Sequence, residues 1–181
     1  MRAESDLRRA RVGRTEVGHD GGAGTRGPRV WTRGERVVSG ELLERTAAEC
    51  RRLIADRFPG GGPAGAAAML LDDGTVLTGT GPDPINPSTN LCHEVEPYCA
   101  AHRLDRAIVA SICLHRAEDG SHLVLSPCGI CRERLADHGP DVLVAVPGPS
   151  DPTEVQWLTL REALPRHWAA GAFPEDVPQW A

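Results

Sequence analysis

Two short cysteine motifs, 36 residues apart, constrain the fold of this chain more than any other feature of its sequence. The first is Cys92-His93-Glu94, and the second is Pro127-Cys128-Gly129-Ile130-Cys131. Cysteines spaced like Cys128 and Cys131 lie on one helical turn, so both thiolates can bind the same metal ion. Cys92 can join them only if the fold brings the two motifs together. The motifs therefore predict a metal site that connects two distant segments.

Prolines place each motif at the start of a helix. Pro127 follows Ser126, and this pair is typical of a helix cap and the first helical position. Pro97 is tolerated only in a first turn, where its missing N–H has no partner, so the earlier helix should be capped near Cys92 or His93. Helix N-termini carry partial positive charge, which stabilises nearby thiolates.

The remaining pattern predicts an α/β domain. Apolar residues recur at helical spacing from Ser39 to Phe58. An Asp-Gly turn then joins extended runs at 66–71 and 75–78 into a hairpin. Helices that alternate with strands are typical of a mixed sheet covered by helices. The other predicted elements are helices at 98–104, 127–138 and 157–167 and strands at 107–114, 122–125 and 141–146.

Charge divides the chain into two regions. Residues 1–38 contain nine Arg and five acidic residues without apolar periodicity, which predicts a flexible Arg- and Gly-rich extension. Residues 39–181, the predicted catalytic domain, contain 11 Arg and 20 acidic residues and no Lys. An acidic domain argues against nucleic acid as a partner, because phosphate backbones bind clustered positive charge. Small molecules are the expected substrates.

The compartment is inferred from apolar runs and cysteines. We find no run of about 18 apolar residues and no apolar stretch near the N-terminus, so we expect neither a membrane partner nor export. The expected location is the cytoplasm, where the six cysteines would be thiols or metal ligands rather than disulfides. Cys50, Cys99 and Cys113 lie in apolar patterns and are interpreted as packing residues.

The two motifs together are typical of a catalytic zinc site. Three ligands, Cys92, Cys128 and Cys131, leave the fourth tetrahedral position to a water molecule, whose pKa the metal lowers. Glu94 follows a ligand by two residues and is predicted to face this water as the general acid and base. The pattern matches the signature of zinc deaminases. A structural zinc site would instead need a fourth ligand, for which His93 and Cys99 are candidates.

With these residues in place, the chain resembles the cytidine deaminase family from about residue 40 to 178. Gly65-Ala66-Ala67 is similar to part of the family's Val-Gly-Ala-Ala, Cys92-His93-Glu94 to Cys-Ala-Glu, and residues 126–132 to Ser-Pro-Cys-Gly-x-Cys-Arg. Residues 160–165 and 173–176 are similar to its C-terminal motifs. The resemblance implies a three-layer α/β/α fold with a central mixed sheet and Zn²⁺ as cofactor. It also implies a homo-oligomer, a tetramer or a dimer, whose subunits share sites.

The resemblance also implies a substrate site. The family's sugar-binding Asn-x-Glu falls on Gly81-Pro82-Asp83, where only Asp83 keeps a carboxylate. Loop asparagines are candidates to replace the missing amide, although such residues are often turn formers. An aromatic residue that reaches a neighbouring subunit's site corresponds to Trp168, with Phe173 as the alternative. The resulting substrate-binding candidates are Asp83, Asn86, Asn90, Ala66, His93, Pro127, Trp168 and Phe173.

Two further departures concern the pocket. The family's pocket Phe is replaced by Gly62, and the Arg that normally follows the glutamate is Val95. A pocket that loses a Phe has room for a larger or modified cytosine nucleoside, as in the blasticidin-type branch. The leading hypothesis is hydrolytic deamination of cytidine, deoxycytidine or a modified cytosine nucleoside. The alternatives are a toxin-like deaminase of nucleic acid, with the extension as a guiding arm, and a zinc-stabilised binding module without catalysis.

Overall fold

A computed structural model of the protein describes residues 38–165. The predicted extension up to residue 37, Trp168 and Phe173 lie outside this range. The helices are α1 (Gly40–Arg57), α2 (Val95–Arg103), α3 (Gly129–Ala136) and α4 (Leu160–Ala163), with a 3₁₀ turn at Pro87–Thr89. The strands are β1 (Ala64–Leu71), β2 (Val76–Gly79), β3 (Ile108–Arg116), β4 (His122–Leu125), β5 (Leu143–Pro147) and β6 (Val155–Thr159).

The six strands form one mixed sheet in the order β2-β1-β3-β5-β6, with β4 paired to β3. The pair β3–β5 is parallel, and the other pairs are antiparallel. All eight residues of β1 are buried, as expected for a strand covered on both faces. The predicted α/β class is therefore confirmed.

Side chains alternate between the two faces of each strand, so both faces of the sheet carry apolar side chains. Helices cover both faces. On one face, Cys50 and Ile54 of α1 pack with Ala66 of β1 and Ile112 of β3. On the other face, a second buried cluster joins Met69, Ile108 and Val144 of the sheet to Ala101 of α2 and Leu135 of α3. The two clusters give the molecule the three layers that the resemblance implies.

Helix α1 is the longest helix among residues 38–165 and follows the predicted pattern closely. Its N-cap is Ser39, whose side chain accepts a hydrogen bond from Leu42 N–H at 3.3 Å. Its buried residues, Thr46, Ala47, Cys50 and Ile54, lie on one face, as the spacing predicts. Among residues 38–165, neither α1 nor any other helix is long and apolar enough to cross a membrane.

The predicted final helix at 157–167 is wrong at its start. Trp157 lies in β6, opposite Ala145 of β5, and packs against the cluster on the α1 face. Helix α4 begins only after Thr159, which forms a capping box with Glu162. The run before Thr159 contains Val155 and Trp157, which favour strands, and the Thr-x-x-Glu pattern marks the true helix start.

Candidate active site

The starts of α2 and α3 bring the three predicted ligands together. Cys128 is the N-cap of α3, and Cys92 lies on the turn that leads into α2, where its carbonyl accepts from Val95 N–H at 3.0 Å. The structure assigns the α2 cap to Glu94, one residue beyond the predicted position. The Sγ atoms of Cys92, Cys128 and Cys131 all lie within 4.8 Å of one another, and those of Cys92 and Cys128 are 3.4 Å apart.

The protein environment affects the three thiols differently. Burial raises the pKa of Cys92 and of Cys131 above the ordinary value for a thiol. Burial also acts to raise the pKa of Cys128, but hydrogen bonds from Cys131 N–H and from the Cys92 thiol outweigh it and lower that pKa. Cys128, at the N-terminus of α3, is therefore the thiol that ionises most readily, as expected at a helix start.

Glu94 is buried beside this thiol group. The residue is 5% exposed, and its Oε1 has no hydrogen-bond partner among residues 38–165. Burial raises the pKa of the Glu94 carboxyl, although a hydrogen bond with the Cys131 thiol and the charge of Arg134 act in the opposite direction. A buried carboxyl with a raised pKa and an unpaired oxygen is suited to accept and return a proton.

The thiol group fits a zinc ion with three protein ligands. Thiolates about 2.3 Å from a tetrahedral zinc have sulfur atoms roughly 3.8 Å apart. The 3.4 Å separation of the Cys92 and Cys128 sulfurs, and the 4.8 Å within which all three sulfurs lie, are compatible with that value. The metal-ligand group found among residues 38–165 includes neither His93 nor Cys99, the two candidates for a fourth protein ligand. Cys99 is exposed on α2, and His93 uses Nδ1 to accept a hydrogen bond from Gly81 N–H at 2.6 Å.

A cleft of about 550 Å³ opens beside the thiols. Three predicted substrate-binding residues, Asp83, Asn90 and His93, line it together with Glu94. Sequence reasoning did not identify the hydrophobic lining, because it arises from strand pairing rather than from a local motif. The other lining residues are Gly81, Pro82, Leu91, Cys92, Cys113, Leu125, Ser126 and Cys128.

The remaining substrate-binding candidates have other surroundings. Asn86 is exposed and does not line the cleft, and its Oδ1 accepts from Ser88 N–H at 3.1 Å, as a turn former does. Ala66 is fully buried in the core, where its carbonyl accepts from the Cys50 thiol at 3.3 Å. Pro127 is buried, and its carbonyl accepts from Arg132 Nε at 2.7 Å. Trp168 and Phe173 lie outside residues 38–165.

No family model matches the sequence. Among curated proteins, the cytidine deaminases of two strains of Mycobacterium tuberculosis are 39% identical to this chain over 74 residues. The match covers 40% of this chain and 53% of each relative, so the chain aligns with about half the length of these curated relatives.

Solved structures extend the similarity across the domain. The cytidine deaminase of Bacillus anthracis has a TM-score of 0.66 and 37% identity, over 71% of this chain and 90% of that one. A mutant form of the Mycobacterium tuberculosis cytidine deaminase has a TM-score of 0.53 and 30% identity, over 68% of this chain and 92% of that one. The motifs, the mixed sheet and this coverage agree, and we conclude that the chain belongs to the cytidine deaminase family.

Proposed function

We propose that this protein is a zinc-dependent hydrolase that converts a free cytosine nucleoside to its uracil form and ammonia. The observation that carries the proposal is the buried Glu94 carboxyl, with its unpaired Oε1, beside three clustered thiols at a cleft. A non-catalytic zinc module would have no use for this carboxyl. The similarity to proteins named cytidine deaminases supports the same reaction class.

Cys92, Cys128 and Cys131 would hold the Zn²⁺ ion. When bound by three protein ligands, zinc acts as a Lewis acid that provides a strong nucleophile from water at neutral pH. Three thiolates would give the site a net negative charge. The N–H groups at the start of α3, which already lower the pKa of Cys128, offset part of that charge.

Glu94 would move the protons. Its carboxylate accepts a proton from the attacking water and donates it to ring N3 as the new C–O bond forms at C4. It then takes the remaining proton from the hydroxyl on C4 and passes it to the exocyclic amine, so that the C4–N bond breaks, the C4 carbonyl forms and ammonia leaves. Burial of Glu94 favours the protonated form, so the carboxyl can hold each proton between accepting it and donating it.

The cleft favours an uncharged nucleoside over a nucleotide or a nucleic acid. The chain has no Lys, and the residues that line the cleft within 38–165 include no Arg. A phosphate group would therefore find the carboxyl of Asp83 rather than a cation. Asp83 and Asn90 provide polar groups that can bind sugar hydroxyls, although the family's Asn-x-Glu is missing.

We also propose a cytoplasmic homo-oligomer, a tetramer or a dimer, in which Trp168 or Phe173 of one subunit approaches another subunit's site. Exposed apolar side chains at the cleft support an interface there. Leu91 and Leu125 line the cleft with 47% and 39% of their surfaces exposed, and Ile130, two residues after Cys128, is 63% exposed. Such groups are often covered by another protein surface.

Ammonia release provides the direct test. The purified full-length protein should be incubated with cytosine and adenine nucleosides, cytosine nucleotides and single-stranded DNA. We expect ammonia from at least one cytosine nucleoside, with much lower rates for the nucleotides and none for DNA. Activity confined to DNA would support the nucleic-acid deaminase instead, and inactivity of zinc-loaded protein on every cytosine nucleoside would contradict the proposal.

A further inference from the structure

The chain that leaves β2 is attached to the start of α2 by two side chains. His93 Nδ1 accepts a hydrogen bond from Gly81 N–H at 2.6 Å. One turn further along, Glu96 Oε2 accepts from Thr80 N–H at 3.0 Å. The backbone amides of two consecutive residues are therefore bound by side chains that come before and after Glu94 in the sequence. We call this pair of contacts the β2–α2 clamp.

Glycines allow the close approach that the clamp requires. A Cβ atom at Gly65 would lie 2.2 Å from His93 Nε2, and one at Gly81 would lie 2.3 Å from the Leu91 carbonyl oxygen. A Cβ atom at Gly79 would lie 2.5 Å from Pro97 Cδ. Cβ atoms essentially never lie this close to atoms to which they are not bonded, so these positions have no room for a side chain. The His93 ring thus occupies the space above Gly65.

The clamp holds the part of the cleft where the family's sugar-binding residues would lie. Gly81 and Pro82 have no polar side chain, so Asp83 is the residue of this segment that can bind a hydroxyl through its side chain. Asp83 is exposed. The clamp ties this segment to the helix that follows Cys92.

We propose that His93 and Glu96 are positioning residues that hold residues 81–83 in place and thereby set the affinity for the sugar of the substrate. The inference rests on the proposed function, because it assigns the segment to the nucleoside's sugar. The similar motif of the family has Ala where this chain has His93. An alanine side chain cannot accept a hydrogen bond, so the contact with Gly81 N–H depends on the histidine of this chain. A purely packing role for His93 would depend on its size and not on its Nδ1 acceptor.

A pair of substitutions separates these roles. His93→Asn keeps an acceptor, Oδ1, near the position of Nδ1, whereas His93→Leu keeps a similar bulk and removes the acceptor. His102→Leu is the matched control, because His102 is an exposed histidine at the other end of α2. Each protein should be compared for zinc content, for kcat and KM with its best nucleoside, and for amide hydrogen exchange of peptides that cover residues 79–84.

We expect His93→Leu to raise KM by about tenfold, the usual effect of one lost hydrogen bond, and to change kcat by less than about threefold. Exchange at residues 80–81 should accelerate by at least about tenfold. His102→Leu should stay within about threefold of the parent in all of these measurements. His93→Asn should lie between the parent and His93→Leu in KM and should recover most of the exchange protection that His93→Leu loses. An equal KM increase in both His93 variants, a fall in kcat at constant KM, or unchanged exchange in His93→Leu would overturn the proposal.

Glu96→Ala provides a second test if His93→Leu does not fold, because Glu96 is exposed and its removal leaves no cavity. We expect it to raise KM and accelerate exchange at Thr80, and unchanged values for both would overturn the proposal. The exchange measurement needs no substrate. An inactive parent protein with a protected Gly81 amide would contradict the proposed function, and with it the sugar assignment, while the clamp itself would stand.

Discussion

Glu94 combines two properties that rarely occur together in a folded protein. It is almost completely buried, and one of its carboxylate oxygens has no hydrogen-bond partner among residues 38–165. An unpaired buried polar atom costs about 1 to 3 kcal/mol. Such a cost is understandable where the oxygen binds a substrate or transfers a proton, and Glu94 lines the cleft next to Cys92.

Replacement of Glu94 by Gln should separate chemistry from metal binding. The amide keeps the shape of the side chain but cannot carry the proton, so we expect kcat to fall by about 100- to 10,000-fold, roughly 3 to 5 kcal/mol. Zinc content should stay at the parent level. Glu118→Gln, in the exposed turn between β3 and β4, is the control. A variant that retains more than about a tenth of the parent rate would exclude Glu94 as the proton carrier.

The cysteines should divide into two groups when they are replaced by Ser. Loss of Cys92, Cys128 or Cys131 should lower the zinc content and the Tm, because metal binding contributes to folding. Cys99→Ser, at an exposed position outside the thiol group, should change neither. Metal analysis and thermal unfolding provide the readouts. Full zinc occupancy in any of the three ligand variants would contradict the proposed ligand set.

Burial explains why the other inward-facing cysteines suit packing. Burial raises the pKa of Cys50 to about 12 and also raises the pKa of Cys113. Both side chains are therefore neutral thiols at neutral pH, as expected for core residues. The sequence pattern predicted packing for both, and also for Cys99, where it is wrong because Cys99 lies on the exposed side of α2. The pattern did not indicate that Cys113 also lines the cleft.

Among the helices and strands, the features that depend on local sequence could be predicted, and the helix starts are an example. Pro97 and Pro127 placed the starts of α2 and α3 to within about two residues, because proline excludes itself from later helical turns. The hydrophobic wall of the cleft could not be predicted in this way. Cys113 meets Leu125 only because β3 and β4 pair in one particular register, and a register is a property of the assembled sheet.

His138 links three elements and should make stability depend on pH. It lies just after α3, its Nδ1 accepts from Ile108 N–H of β3 at 3.2 Å, and its ring packs edge-on against Tyr98 of α2. Burial lowers the pKa of His138 below its ordinary value. The neutral ring therefore stabilises the fold above the unfolded-state pKa of about 6.5, and this contribution is lost as pH falls through the lower folded-state pKa.

The comparison with His138→Asn tests this dependence, because Asn offers an acceptor without a titratable ring. The free energy of unfolding of the parent, minus that of the variant, should decrease from pH 7.5 to pH 5. Urea unfolding at each pH measures the difference. Effects of pH on the metal site cancel, since both proteins keep the same cysteines. A difference that stays constant over this range would show that His138 does not titrate on folding.

At the scale of the whole molecule, the charge distribution separates the first 38 residues from the rest. Their nine Arg and five acidic residues show no apolar period, whereas residues 39–181 are acidic overall. We expect removal of residues 1–36 to change zinc content and nucleoside kcat/KM by less than about twofold, because such a segment contributes few core contacts. Steady-state kinetics of the shortened chain would show this. A loss of more than tenfold would assign the segment to the site.

Subunit assembly can be tested through Trp168. In the proposed homo-oligomer, a second subunit would cover the apolar side chains exposed at the cleft, and its Trp168 would approach the site. Truncation of an aromatic anchor at an interface typically costs about 2 kcal/mol or more. Trp168→Ala should therefore shift sedimentation toward smaller species at low micromolar concentration. It should also raise KM, because loss of the indole removes the contact with the neighbouring subunit and, with it, the contact with that subunit's site.

Trp180→Ala is the matched control, because Trp180 lies beyond the segment that resembles the family. It should sediment and turn over substrate like the parent. A parent chain that is a fully active monomer at low micromolar concentration would refute the shared site. If Trp168→Ala instead keeps both its oligomeric state and its KM, the same experiment with Phe173→Ala decides whether the alternative aromatic residue provides the contact.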